Sequence, residues 1–300
     1  RGALLHGLKT SDDAASYAAA RAALGALQST AEFSMAVAAA GRAGSAATVR
    51  DLLDEMEEGG VPRDAWLYTA AISALSAAGE PEHALRLFEE MRAPDPARPT
   101  CAPSVFSYSA AISACDKCGG RADQALAIFG QMEAAGVAPN DVTYNALIST
   151  LGGAGRADEA VALLATMEEA GVMPGVVSLN AAILACARQA EGGGDKAAQA
   201  VALLRGMRGR GLTPNARSYN GALSACARVG DWRTAETLLE DMAAGGVPPT
   251  AVSLNAAIFA AAVGGEWRRA LALLDAMRPS YRVPPDAASF GSAMQALASA

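Results

Sequence analysis

Histidine is nearly missing from this chain: 300 residues hold only His6 and His83, and no His-x-Glu stretch or knot of aspartates accompanies them. The usual ligand sets of a catalytic zinc or a two-metal centre cannot be drawn from that supply. The chain is therefore expected to be no enzyme and to hold no metal or cofactor. Five cysteines are too few for a disulfide framework. Cys115-Asp-Lys-Cys118 has the Cys-x-x-Cys spacing, but no second pair stands near it. Aromatic residues make up 5% against 52% hydrophobic overall, so the interior must be filled by alanine and aliphatic side chains. No apolar run approaches the ~18 residues of a membrane span. Positive charge is also short, with 24 Lys and Arg against 31 Asp and Glu, a net charge of −7. Bulk positive charge thus cannot attract nucleic acid, although a local basic row still could.

What is abundant is repetition. The stretch Asp141–Gly175 reads as two short helices. Tyr144, Leu147, Ile148 and Leu151 form one apolar face, with Thr143 expected as its cap, and Gly152, Gly153 and Gly155 are expected to break the helix. Ala160, Leu163, Leu164 and Met167 repeat the spacing, and Gly171 and Pro174 end the second helix. That methionine recurs as Met56, Met91, Met132, Met167, Met207, Met242 and Met277, and the opening residue as Phe33, Tyr68, Tyr108, Tyr144, Leu179, Tyr219, Leu254 and Phe290. Two markers with one period of roughly 35 residues predict an all-α solenoid of stacked helix-turn-helix units.

The units run 30–64, 65–104, 105–140, 141–175, 176–215, 216–250 and 251–286. Residues 1–29 read as a degenerate half-repeat and 287–300 as the first helix of a truncated one, so the chain is expected to be a piece of a longer protein lacking its targeting segment. Insertions fall at turns: Ala93–Cys101, Gly119-Gly120 and Gln189–Asp195. Gly192-Gly193-Gly194-Asp195-Lys196 lacks the Gly-Lys-Ser/Thr ending of a phosphate loop. Cys115, Cys186 and Cys226 occupy one small-residue position in three units, which accounts for them as packing.

Function is sought in polar rows that packing does not require. One follows the opening residue: Ser34, Thr69, Ser109, Asn145, Asn180, Asn220 and Asn255. Helix capping would explain small hydrogen-bonding side chains there, but Thr143, Ser178, Ser218 and Ser253 are expected to fill that role. A second row closes each unit: Asp64, Ser104, Asn140, Gly175, Asn215, Thr250 and Asp286, types that turns also attract. A third is basic and lies near the end of first helices: Arg42, Lys117, Arg188 and Arg228, where the helix dipole favours cations in any case.

Val142-Thr143-Tyr144-Asn145-Ala146-Leu147-Ile148, continued through Gly155, Glu159-Ala160, Met167, Gly171 and Pro174, resembles the pentatricopeptide repeat of the P type, over residues 30–300. The resemblance implies a right-handed superhelix that binds single-stranded RNA in mitochondria or chloroplasts, each repeat reading one base with two or three side chains. It makes Ser34/Asp64, Thr69/Ser104, Ser109/Asn140, Asn145/Gly175, Asn180/Asn215, Asn220/Thr250 and Asn255/Asp286 the base readers. The site it implies is G-purine-A-pyrimidine-pyrimidine-pyrimidine-U, with Gly175 and Thr250 departing from the family's common pairs. Ala31, Trp66, Phe106, Val142, Val177, Arg217 and Val252 would sandwich bases, and the basic row would meet phosphates. Two other readings stay open: a helical scaffold for a protein partner, and the RNA-binding part of a larger RNA-processing enzyme.

Overall fold

A computed structural model describes residues 27–93, 101–119, 121–190 and 194–298. The half-repeat read over 1–29 lies almost wholly outside the described residues, as do most of the Ala93–Cys101 insertion, Gly120 and 191–193. Among the described residues there are fifteen α-helices and no strand. First helices are α1 (Thr30–Arg42), α3 (Ala65–Ala77), α5 (Val105–Lys117), α7 (Asp141–Gly153), α9 (Val176–Gln189), α11 (Ala216–Val229), α13 (Ala251–Val263) and α15 (Ala287–Ala298). Second helices alternate with them: α2 (Ala46–Glu58), α4 (Pro81–Arg92), α6 (Ala122–Ala134), α8 (Ala157–Glu169), α10 (Gly194–Gly209), α12 (Trp232–Ala244) and α14 (Trp267–Ala276). The Gln189–Asp195 insertion, expected as a loop, is helical at both ends, since α9 runs through Gln189 and α10 begins at Gly194.

The chain divides into two compact units, 1–150 and 151–300. In the first, α1 packs on α3 and α3 on α5, while α2 and α4 each touch the first helix before and after them. In the second, α9, α11, α13 and α15 form the same succession, with α10, α12 and α14 wedged behind it. No hairpin can bury its two apolar faces by itself, so each second helix completes its core against the next unit. Phe88 of α4 meets Tyr108 of α5 edge-on at 5.3 Å, and Phe129 of α6 meets Tyr144 of α7 at 5.5 Å. The seven recurring methionines, six within second helices and Met277 just past the end of α14, are all buried. Leaving such a site empty costs about 2–5 kcal/mol.

First helices approach one another through small side chains. In the first compact unit Ala36, Ala71 and Ala111 occupy one column and Ala39, Ala74 and Ala114 the next; in the second, Ala182, Ala222 and Ala257 and then Ala185, Ala225 and Ala260 do the same, and all are buried. Where a glycine takes part, even a methyl group does not fit. A Cβ on Gly41 would lie 2.5 Å from the Cβ of Ala74, and one on Gly152 would lie 2.8 Å from that of Ala185. Gly152 and Gly153 are helical, contrary to their expected breaking role; the chain turns at Gly155, whose φ is +74°. Gly171, at φ +77°, ends the second helix as the sequence predicts.

Gly41→Ala is expected to destabilise the fold by about 1–3 kcal/mol through overpacking. Gly130→Ala, in α6 with nothing within 4 Å of the new methyl, should instead stabilise it by about 0.5–1 kcal/mol. Urea unfolding of both variants checks the opposite signs.

Candidate nucleic-acid interface

The site begins where each first helix begins. The chain arrives extended and turns into helix at Asp64, Ser104, Asn140, Gly175, Asn215, Thr250 and Asp286, so the second polar row is the row of N-caps. Asp64 accepts from Leu67 N–H at 2.7 Å, Asn140 from Thr143 N–H at 3.0 Å, and Asn215 from Ser218 N–H at 3.1 Å. The expectation that Thr143, Ser178, Ser218 and Ser253 are caps is therefore corrected. They stand three residues inside the helix and return the bond, their hydroxyl oxygens accepting from the cap's own N–H at 3.1–3.3 Å. This reciprocal arrangement satisfies two N–H groups that helix geometry leaves free. Gly175 has no side chain to give, so Ser178 alone closes that box.

The first polar row lies one turn further in, five residues past the cap, and is less open than its position on the helical wheel implies. Ser34, Ser109 and Asn180 are buried; Thr69, Asn145, Asn220 and Asn255 are half-buried. Each contact that this row makes across units goes to the next cap box. Ser109 Oγ lies 2.8 Å from Thr143 Oγ1. Ser253 donates to Asn220 Oδ1 at 2.7 Å, and Ser289 to Asn255 Oδ1 at 2.6 Å. Asn180 Nδ2 reaches Asn215 Oδ1 at 3.4 Å and Asn255 Nδ2 reaches Asp286 Oδ1 at 3.0 Å. The residues paired in sequence are thus brought together directly in Asn180/Asn215 and Asn255/Asp286. A bridging hydroxyl joins Ser109/Asn140 through Thr143 and Asn220/Thr250 through Ser253. For Ser34/Asp64 the carboxylate is engaged on its own helix, and Asn145/Gly175 has one side chain only. Asn145 Oδ1 and Asn180 Oδ1 are buried acceptors with no hydrogen-bond partner among the described residues.

Beside these rows runs a third that is apolar and exposed. Trp66, Phe106, Val142, Val177 and Val252 are between 54% and 68% exposed, and Ala31 and Arg217 are exposed at the same position. Large apolar groups in water, repeated once per unit, serve no packing. In the first compact unit they wall a groove of about 730 Å³ that contains Thr69, Ser104, Ser109 and Asn140 between Trp66, Phe106 and Val142. Its floor, Ala70, Ser73, Ala110 and Ser113, went unremarked in the sequence, because small residues there look like ordinary helix filler.

Arg42, Lys117, Arg188 and Arg228 occupy the last turn of α1, α5, α9 and α11. All but the half-buried Arg228 are exposed, and Lys117 Nζ donates to the carbonyl of Ser76 at 2.9 Å. Lys117 lies eight positions after Ser109, which places the polar and cationic groups about 12 Å apart along one helix. Among the described residues no group of three or more His, Cys, Asp or Glu side chains could hold a metal. Burial pushes the Cys115 thiol up to about 12, Cys226 to about 12 and Cys186 to about 11, so none offers a thiolate near neutral pH. His83 sits half-buried with Nδ1 2.8 Å from Glu80 Oε2.

Three family models match: a PPR repeat family over residues 103–153, a pentatricopeptide repeat domain over 51–118 and 202–266, and a PPR repeat over 142–172. The chain belongs to the pentatricopeptide repeat family. It is 35% identical over 116 residues to the chloroplastic pentatricopeptide repeat-containing protein 10 of Zea mays, a match covering 38% of this chain and 14% of that protein. A chloroplastic pentatricopeptide repeat-containing protein of Arabidopsis thaliana is 30% identical over 112 residues, 37% of this chain and 22% of its own length. The matches thus span less than a quarter of either relative. Among solved structures, that of pentatricopeptide repeat protein 10 from maize superimposes with a TM-score of 0.68 at 27% identity, covering 93% of this chain and 39% of that one. The helical-repeat architecture is shared, and no helix among the described residues is long and apolar enough to cross a membrane.

The pair in the last full repeat yields a titration. Asp286 is held below the ordinary aspartate range, first by the Ser289 N–H, then by the side chains of Asn255 and Ser289. The lowered value means that its stabilising contribution is complete above the unfolded-state pKa and is lost as pH falls through the folded-state one. A carboxyl-carbon NMR titration should place its midpoint below the ordinary aspartate range, and Asn255→Ala should move it upward.

Proposed function

We propose that this chain binds single-stranded RNA in a sequence-specific manner, one base per repeat, and acts in organellar RNA metabolism by occupying its target. The observation that carries this reading is the groove: exposed Trp66, Phe106 and Val142 flank the polar pairs of successive repeats. Flat apolar side chains stack on any base, and the polar groups between them discriminate by hydrogen bonding. In this reading the seven pairs are the base readers. Trp66, Phe106, Val142, Val177, Arg217 and Val252 sandwich the bases, and Arg42, Lys117, Arg188 and Arg228 meet phosphates. Where Asn145 and Asn180 hold an unused buried acceptor, a base N–H would satisfy it. The chloroplastic relatives support an organellar setting.

The groove of the first compact unit is lined mainly by carbon, and this favours one other reading: a scaffold whose groove takes the apolar side chains of a protein partner. A stacked base and an inserted leucine would use the same walls, but only the base needs the polar pairs. The deciding experiment is fluorescence binding of GAACUUU in neutral flanks, against a strand whose last four bases are purines. The expected preference is at least about tenfold, each good contact set contributing about 1–3 kcal/mol. Asn255→Thr should relax only the final position, and Trp66→Ala should weaken binding by about 1–3 kcal/mol. Equal binding of both strands at low salt would leave the polar rows as cap chemistry and favour the scaffold.

A further inference from the structure

Helices α12 and α14 open unlike the others. Their first residues are Trp232-Arg233 and Trp267-Arg268-Arg269, where earlier repeats have Pro81-Glu82, Ala122-Asp123 and Ala157-Asp158. An acidic residue there is favoured by the positive end of the helix dipole. It also clasps the following repeat: Glu82 meets Arg121 at 2.5 Å, and Asp158 meets Lys196. In the last two full repeats the sign is reversed, so Arg233 and Arg268 stand against the dipole.

Indole faces rather than carboxylates receive these cations. The guanidinium of Arg233 lies 5.0 Å from the ring centre of Trp232, and that of Arg269, from the next repeat, lies 5.4 Å from the same ring. Arg268 lies 4.8 Å from Trp267. Arg269 touches Glu236 only at 3.9 Å, and no ion pair engages Arg233 or Arg268 among the described residues. The neighbouring Asp231 is committed to the Thr234 N–H at 3.1 Å. Trp232 is also fixed in place. A Cβ on Gly264 would lie 3.0 Å from its Cδ1 and 2.6 Å from the Gly230 carbonyl, so the next repeat's turn presses against the indole.

Stacking uses the face of a guanidinium and leaves its in-plane N–H groups available. That fork matches two oxygens of a phosphate. We propose that Arg233, Arg268 and Arg269, shelved on Trp232 and Trp267, bind the phosphodiester backbone of the RNA strand beside the last two full repeats. The inference rests on the RNA-binding reading and deepens it. The ledge lies just across a short turn from Arg228 and so continues the basic row. Asp231, Glu236 and Glu266 stand beside these cations, so the match to a polyanion rests on the guanidinium forks and not on a local excess of positive charge.

The test uses a strand without bases, which the reading groove cannot recognise. Trp66→Phe leaves Trp232 and Trp267 as the only emitters among the three tryptophans. Titration of this protein with an abasic oligoribonucleotide should change its tryptophan emission, with affinity falling as salt rises by a log–log slope of about 0.7 per phosphate engaged. Arg233→Ala with Arg268→Ala should make that slope shallower by about 0.7 for each phosphate no longer engaged. Gly264→Ala, which crowds Trp232 and the Gly230 carbonyl and removes no charge, should also weaken binding. Neither change should alter the base preference for GAACUUU in a chain with Trp66 intact, and melting curves confirm that the variants fold. An unchanged slope in the double Arg variant overturns the ledge. So does displacement of the abasic strand by polyglutamate of equal charge concentration, which would mark a surface for an acidic protein. If the abasic strand binds at the ledge while GAACUUU shows no preference, base reading fails and the ledge stands.

Discussion

The contact on which the rest depends is the close approach of successive first helices. Alanine columns, with glycine at Gly41 and Gly152, bring neighbouring backbones near enough for one repeat's side chains to reach into the cap of the next. Between α11, α13 and α15 a larger residue in those columns would push the helices apart and break the hydroxyl bridges by which Asn220 and Asn255 are positioned; α7, which carries Leu147 and Thr150 at the same positions, keeps its bridge to Ser109. Dispersion and apolar burial set the spacing, and the polar rows use the spacing they are given. The abundance of alanine therefore sets the geometry of the polar rows as much as that of the core.

Much of this was legible in the chain. Among the described residues the methionine and opening-residue markers recur in step with the helix pairs, since a repeat must present the same packing face each time. Both polar rows and the basic row were also visible in sequence, whereas the Trp66–Phe106–Val142 row came only from the family resemblance. The cap was misplaced by three residues because Asn140 and Thr143 are both good caps by composition. Only the backbone dihedrals decide which one lies at the extended-to-helical switch. The recurrence of polar residues three apart, as in Asn215-x-x-Ser218 and Thr250-x-x-Ser253, was the available signal of a reciprocal cap. Gly152 was misread for a related reason. Glycine marks both a helix end and a close helical contact, and the partner that distinguishes them, Ala185, lies far along the chain.

The Trp-Arg openings of α12 and α14 went unremarked for a different reason. A search for rows looks for what repeats, and these residues stand out by breaking the row. Their meaning depends on a comparison of charge sign against the helix dipole in Glu82, Asp123 and Asp158, and on Arg269 reaching back onto Trp232 from the next repeat. Neither is a matter of periodicity. Departures from a repeat's own consensus thus carry information that the consensus conceals.

The reciprocal caps have a consequence for modularity. Asn220 is oriented by Ser253 and Asn255 by Ser289, so the smallest exchangeable element straddles two repeats. A recombination cut placed between Asn220 or Asn255 and the following cap box would separate a side chain from the hydroxyl that orients it, although the helices would still stack on their neighbours. Grafts that carry the next repeat's first turn would travel intact. In evolutionary terms, the unit inherited together is the junction.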